Sequence, residues 1–306
     1  MGLENAVVLE DVSVEQERLL SLLERGVADE AVEPEDRTLI ERLGPTLLNS
    51  SSVTKPQLTG DFVRGAFAEL IRASYSTNLD GIAVLENRAK VGVHIDSLGL
   101  GGLLLTLGLA AAGVGRIFTS DDKVVGEHDL GPLAYSSVSI NQSRIAAVNE
   151  LLRARPGGTV VQLYEGLTPA KRRHSLRVIT GQNALLPSAY RKLVAGKVPH
   201  IAVLFGSDWV SVSPRILGRP CLGCLERHRA DNDATWPVLA SQLVGRADYL
   251  EDATSALFAA AMAVGEILRA IDTPKNEADF IGHRLRVANG EVEQWSWPAH
   301  PDCECS

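Results

Sequence analysis

The chain has 306 residues, 45% apolar and 22% charged, with a net charge of −8. That length buries a sizeable core and fits one large domain with a small one. An acidic chain without a basic stripe lacks the electrostatic footprint of a nucleic-acid binder, so no nucleic-acid partner is expected.

The first residues show no cationic start leading into a long apolar run, which argues against a secretory signal. The longest apolar stretch, Leu98 to Val114, contains five glycines and falls short of the roughly 20 residues that cross a bilayer. No membrane partner is expected, and the chain reads as cytoplasmic, where thiols stay reduced.

Residues 1–88 form an acidic N-terminal region. Ala6 to Leu9 is a candidate strand. Apolar residues at Val14, Leu19, Leu20, Leu22 and Leu23, and again at Leu39, Ile40, Leu43, Leu47 and Leu48, recur at near-helical spacing. The Gly44-Pro45 step interrupts the second pattern. Leu48 to Thr59 reads as a loop, and Phe62 to Ser74 as a further helix.

From 89 onward strands alternate with helices: strands at Val91–Ser97, Arg116–Ser120, Thr159–Tyr164, Leu176–Thr180 and His200–Phe205, helices at Leu103–Ala112 and Ile140–Arg153. This rhythm predicts an α/β, Rossmann-like, mostly parallel sheet with helices on both faces. A long small-residue helix follows at Ala253–Ile271, with Leu257, Phe258, Ala261, Met262, Ile267 and Leu268 as its expected core positions. Asn289-Gly290 then marks a tight hairpin turn.

The chain has four cysteines, in two close pairs, Cys221-x-x-Cys224 and Cys303-x-Cys305. Short knuckles of this kind supply two thiolates each to a tetrahedral zinc about 2.3 Å away. A structural zinc on Cys221, Cys224, Cys303 and Cys305 would staple the tail to the middle of the chain, making a C-terminal zinc lobe. Two disulfides or four buried thiols are the alternatives. Trp236, Trp295 and Trp297 are expected to pack around that lobe, and Trp209 in the core. His228 and His300 read as neighbours of the cysteines, not as ligands, and His94 as a satisfied core histidine.

Gly99-Leu100-Gly101-Gly102 follows a strand and opens a helix, where glycines let backbone N–H groups approach a phosphate. The sixth position of the usual G-x-G-x-x-G is Leu104. Asp121 ends the next strand and could hold a ribose. A tight turn in an α/β core, with no ligand, reads the same glycines equally well.

Gly99-x-Gly-Gly, then Ala111 to Ile117 (Ala-Ala-Gly-Val-Gly-Arg-Ile), then Asp121-Asp122, with both cysteine pairs, resemble the ThiF/MoeB-type fold of ubiquitin-activating-like proteins. The segments Arg219 to Arg229 and Trp297 to Cys305 narrow the likeness. They resemble actinobacterial ThiF-like proteins that bind leader peptides in azole-forming peptide-modification pathways. The resemblance covers roughly residues 90–306.

Adenylating members of that family activate a C-terminal carboxylate with ATP, using cations on the phosphates and a carboxylate for Mg²⁺. Carried across by resemblance, the ribose-binding acid falls at Asp121 and the helix-borne cation at Arg144. The second acid of the D-x-D falls at Lys123, the phosphate arginine at Pro132, and the Mg²⁺ aspartate at Gly181 or Gln182. The resemblance therefore implies a pseudo-enzyme with no catalytic residues. ATP and Mg²⁺ are not expected, although Gly99, Gly101, Gly102, Asp121 and Arg144 remain the candidate cofactor contacts. Asp129 and Asp208 are the acids that an alignment slip would bring into a catalytic role.

The resemblance also implies a homodimer, a peptide or YcaO-type modifying enzyme as partner, and a winged-helix-like N-terminal domain that takes a peptide as an added strand. The expected role is a non-catalytic scaffold or peptide-recognition component. The alternatives are an ATP-dependent adenylyltransferase and a structural dimer without a ligand.

Overall fold

The computed structural model describes residues 8–24, 32–44, 47, 62, 65–77, 79–153, 158–164, 176–246, 248–273 and 280–305. Among the described residues the α-helices that come first are α1 (Val14–Leu23), α2 (Arg37–Leu43), α3 (Phe67–Thr77) and α4 (Gly81–Lys90). Ser13 caps α1 by accepting from the Gln16 N–H, and Gln16 returns the bond to the Ser13 N–H, closing a capping box. Leu19 of α1 clusters with Leu39 and Leu43 of α2, so the leucine spacing marks a real shared face.

The expected strand Ala6–Leu9 does not form at its described end: Val8 and Leu9 lie outside any strand, and Ala6 and Val7 lie outside the described residues. Among the described residues no strand precedes β1. The expected loop Leu48–Thr59 lies outside them too.

The body is one eight-stranded sheet, ordered β3-β2-β1-β4-β5-β6-β7-β8. Its strands are β1 (Gly92–Ile95), β2 (Arg116–Thr119), β3 (Val160–Leu163), β4 (Leu176–Gln182), β5 (His200–Phe205), β6 (Trp209–Val212), β7 (Gly282–Arg286) and β8 (Val292–Trp295). The first five run parallel and the last three antiparallel. β1 is buried along its whole length and β5 over most of it, as strands covered on both faces must be. Asn289 and Gly290 turn the β7–β8 hairpin, with Gly290 at φ +73°.

The remaining helices are α5 (Leu100–Ala111), α6 (Arg144–Arg153), α7 (Pro187–Ala195), α8 (Leu222–Asn232), α9 (Trp236–Leu243) and α10 (Ala253–Asp272). α5 is apolar nearly all round and is accordingly buried. It packs on α10 at small residues: a Cβ on Gly108 would come within 2.9 Å of Val264 Cγ2. Of the described helices, α10 alone has the length and apolarity of a membrane span, but it lies against α5 and the sheet.

The face α10 buries is the expected one in part: Ile267 is buried, and Phe258, Met262 and Leu268 pack, half-buried, against the main core. Ser255, Ala256, Ala259, Ala260, Ala263, Glu266, Ile267 and Ile271 point inward, while Leu257 and Ala261 face out. Close approach to α5 selects the alanine stripe over the bulkier residues.

α4 joins the body through a buried charge. Arg88, 2% exposed, donates to both oxygens of Asp272 on α10 and to the Ala112 carbonyl.

Candidate functional site

The parallel part of the sheet has strand order 3-2-1-4-5, so the order in which strands are added reverses between β1 and β4. Crevices for ligands form beyond the carboxyl ends of the strands at such a point. A cleft of about 750 Å³ opens there, lined by Asp96 and Gly99 after β1, Thr180 and Gln182 at the end of β4, Lys123, Arg144, Tyr249, Glu251 and Asp252.

The glycine turn that begins α5 forms the floor. Gly102 is dictated by the turn itself, since a Cβ there would lie 1.8 Å from the Ser97 carbonyl oxygen. A Cβ on Gly101 would lie 2.6 Å from Phe205 Cζ. Both glycines therefore have packing reasons to be glycine. Leu104 is half-buried against the main core. The Gly101 N–H donates to Glu251 Oε2 at 2.8 Å.

A charged triad lies at the cleft, with Arg144 and Asp129 in its lining and Asp121 below. Arg144 donates from Nη1 to Asp121 Oδ2 at 2.9 Å and from Nη2 to Asp129 Oδ1 at 2.5 Å. Asp121, 5% exposed, also accepts from the Leu98 N–H (2.7 Å) and the Lys123 N–H (2.9 Å). Burial alone would raise the Asp121 carboxyl. Those N–H donors and the Arg144 guanidinium outweigh it and hold the group below the usual carboxylate range. Tyr135 closes the network by donating to the Leu98 carbonyl at 2.8 Å.

Asp96 is handled differently. It accepts from the Thr180 N–H at 3.0 Å and from Thr180 Oγ1 at 3.0 Å, with Arg177 nearby, yet crowding by protein pushes it up to about 6. Gln182 Oε1 accepts from the Asp248 N–H at 2.8 Å, and Asn183 Nδ2 donates to Asp248 Oδ2 at 2.8 Å.

The second constellation is sulfur. Cys221 is the N-cap of α8, Cys224 lies in its first turn, and Cys303 and Cys305 arrive on the tail after β8. The sulfurs stand 3.9 Å (221–224), 3.7 Å (221–303) and 3.4 Å (224–305) apart. These separations exceed the roughly 2.05 Å of a disulfide and match the roughly 3.8 Å between sulfurs placed tetrahedrally around a zinc.

Gly223 lies close beside them: a Cβ there would sit 3.3 Å from Cys221 Sγ, a tight contact, and 3.5 Å from Cys303 Sγ, an ordinary one. Trp297 Nε1 donates to the Cys221 carbonyl at 2.9 Å and stacks near Trp295 and Phe280. Burial pushes the Cys221 and Cys305 thiols up. On Cys303 the Cys305 N–H and the neighbouring thiols outweigh burial and bring it down to about 7. The four donors fit a closed tetrahedral zinc with no position left for substrate.

With cleft and cysteine lobe in place, the architecture can be set beside solved structures. The fold is that of PaaA and MccB. The crystal structure of PaaA matches with a TM-score of 0.67 at 15% identity, covering 95% of this chain and 98% of that one. E. coli MccB with ATP matches at 0.63 and 14% identity, covering 93% and 84%. The microcin C7 biosynthetic enzyme MccB in complex with N-formylated MccA matches at 0.62 and 15% identity, covering 90% and 83%. No family model matches the sequence, and no curated protein does either.

The structure brings Gly99, Gly101, Asp121 and Arg144 to one place. Of these, Gly99 and Arg144 line the cleft, while Asp121 is sealed below it and Gly101 packs against Phe205; the fifth candidate, Gly102, serves the turn. Pro132 and Lys123 also line the cleft. Gln182 is the last residue of β4 instead of following it. Asp129 is in the triad, and Asp208 sits on the β5–β6 turn, where its carbonyl accepts from the Val287 N–H.

His94 is fully buried with Nε2 on Ser120 Oγ at 3.0 Å. His300 engages both ring nitrogens, Nε2 with Asp231 Oδ2 at 2.8 Å and Nδ1 with the Asp302 N–H at 3.1 Å, so it braces the tail. Trp295 and Trp297 pack with the cysteines, whereas Trp236 bonds Glu226 on the side of α8. Trp209 is half-buried on β6 beneath the Arg286 and Arg284 guanidinium groups, not in the core.

Sequence reasoning missed Asp96, Glu251 and Asp248. Asp96 carried a usable signal, a carboxylate at the carboxyl end of a buried strand just before a glycine turn. Glu251 carried none, because its partner lies 150 residues away in sequence.

Proposed function

We propose that this chain is a non-catalytic, ThiF-like scaffold or peptide-recognition component of a peptide-modification system. The observation that carries this reading is the engagement of Arg144, the one basic group in the cleft with a counterpart in the adenylation machinery. It is clamped between Asp121 and Asp129 and is already neutralised. Adenylation needs preorganised charge aimed at the phosphates. Here Pro132 and Gln182 stand where the resemblance expects an arginine and an aspartate, and Gln182 is held by the Asp248 backbone.

A peptide partner is supported by the shared fold with MccB, whose structures include complexes with MccA. On this reading residues 89–306 form the ThiF-like body with zinc on Cys221, Cys224, Cys303 and Cys305, and residues 1–88 form the recognition region. The protein acts in the cytoplasm as a homodimer beside a YcaO-type enzyme.

The alternative is an ATP-dependent adenylyltransferase, favoured by the cleft's place at the strand-order reversal and by the MccB–ATP structure of the same fold. ATP–pyrophosphate exchange on the zinc-loaded protein, with short precursor peptides encoded beside its gene, separates the two. The proposed function requires peptide binding by calorimetry without exchange. Peptide-dependent exchange would overturn it.

A further inference from the structure

The face of the cleft best shaped to receive an anion is already covered by a side chain of the same molecule. Glu251 lies over the glycine turn, with Oε2 on the Gly101 N–H at 2.8 Å. A Cβ built on Gly99 would come within 2.9 Å of Glu251 Oε2 and 3.2 Å of Oε1, and one built on Gly101 within 3.4 Å of Oε2. The carboxylate thus rests on the backbone of the turn, at the positive end of the 12-residue helix α5. This is where an oxyanion gains both from N–H donors and from the helix dipole.

The segment that carries Glu251 is fastened at both ends. Upstream, the Asp248 N–H donates to Gln182 Oε1 and the Asp248 carboxylate accepts from Asn183 Nδ2. Downstream, Asp252 caps α10 by accepting from the Thr254 and Ser255 N–H groups, so the next residue begins a rigid helix. Between them Tyr249 is held at φ +52°, a left-handed conformation that an exposed tyrosine adopts only when its surroundings impose it. Gln182, at the position where the resemblance expects the metal-binding acid, is one of the anchors.

We propose that Glu251 is a built-in occupant of the anion position on the glycine turn, and that the 248–252 segment is an autoinhibitory strap. It excludes phosphate-bearing ligands, and its displacement opens the site to them. The proposal rests on the non-catalytic reading above, because it explains how the resting molecule keeps nucleotide out. A carboxylate and a phosphate oxygen cannot share the Gly101 N–H, so apparent phosphate affinity is reduced by the fraction of molecules in which the strap is closed.

The test is calorimetric titration of the zinc-loaded full chain with inorganic pyrophosphate and with Mg-ATP, comparing wild type, Glu251→Ala and Asn183→Ala. Removing Glu251 should tighten pyrophosphate binding by about tenfold or more, the scale of one charge-assisted hydrogen bond freed from competition. Asn183→Ala, which loosens the strap and leaves the glutamate in place, should give a smaller gain in the same direction.

Zinc content and melting temperature report whether each variant folds, and Asn183→Ala decides if Glu251→Ala does not. Pyrophosphate binding that is the same in all three proteins, tight or absent, would overturn the strap and leave the non-catalytic reading untouched. Exchange activity in the wild type would overturn that reading instead.

Discussion

In the tail lobe, four sulfurs from two distant segments converge on a common point within ligand range of one another. In the cleft, Asp121, Asp129, Arg144, Gln182 and Glu251 each meet a partner from the chain itself. The first arrangement is built to be completed from outside; the second is complete already. Converging polar groups therefore do not by themselves mark a working site. What matters is whether their donors and acceptors still face a gap or face each other. A zinc between the thiols supplies the charge that the lobe lacks, whereas a nucleotide in the cleft has to break bonds that exist.

The largest effect that this contrast implies is metal loss. Elemental analysis should give one zinc per chain, and Cys224→Ser should abolish it. Because zinc binding contributes directly to folding, the variant should lose several kcal/mol and melt about 10 °C lower or more. A zinc-free wild type with an unchanged melting curve would remove the contrast altogether.

Next comes the triad. Arg144→Met leaves two buried carboxylates without their cation, and breaking a buried pair in this way costs about 3–5 kcal/mol. Urea denaturation should show that loss, and adding Asp121→Asn and Asp129→Asn should recover much of it. If Arg144→Met costs under about 1 kcal/mol, Arg144 is not a structural lock and could still serve a ligand.

How far the sequence discloses these two regions follows from the range of their interactions. The parallel strands were legible because each is a short, mostly apolar run, the central β1 and β5 covered on both faces, and His200–Phe205 matches its predicted bounds. The cysteine lobe was legible because four thiols in two tight pairs leave few arrangements open.

The face of α10 was legible only in part: Phe258, Met262, Ile267 and Leu268 meet the core, but alanine and leucine are both apolar and only contact with α5 turns the alanine stripe inward and Leu257 out. α4, α7, α8 and α9 were missed. α8 in particular, with Arg227, Arg229, Asp231 and Asn232, shows hardly any apolar stripe and is held by Cys221 and Cys224. Nor does any local pattern reveal that Glu251 covers Gly101. The glycines announce a tight turn, and what rests on it is decided by the fold.

The smallest effect concerns Asp96, the cleft group that its hydrogen bonds do not fully compensate. Its carboxyl is raised in the folded chain from 3.8 to about 6, chiefly by desolvation, against the opposing bonds from Thr180 and the charge of Arg177. The folded state therefore binds this proton more tightly than the unfolded chain does. Folding takes up a proton between about pH 4 and pH 6, so the group's contribution to stability falls as pH rises through that window and stays low above it. Asp96→Asn keeps an acceptor for the Thr180 N–H and removes the buried charge. It should raise stability at pH 7 by on the order of 2 kcal/mol and leave stability at pH 4 nearly unchanged. A pH series of urea midpoints on both proteins checks this. If the wild type shows no excess downward slope between pH 4 and 6, water or a cation reaches Asp96, and the cleft is more open to ligands than its internal pairing implies.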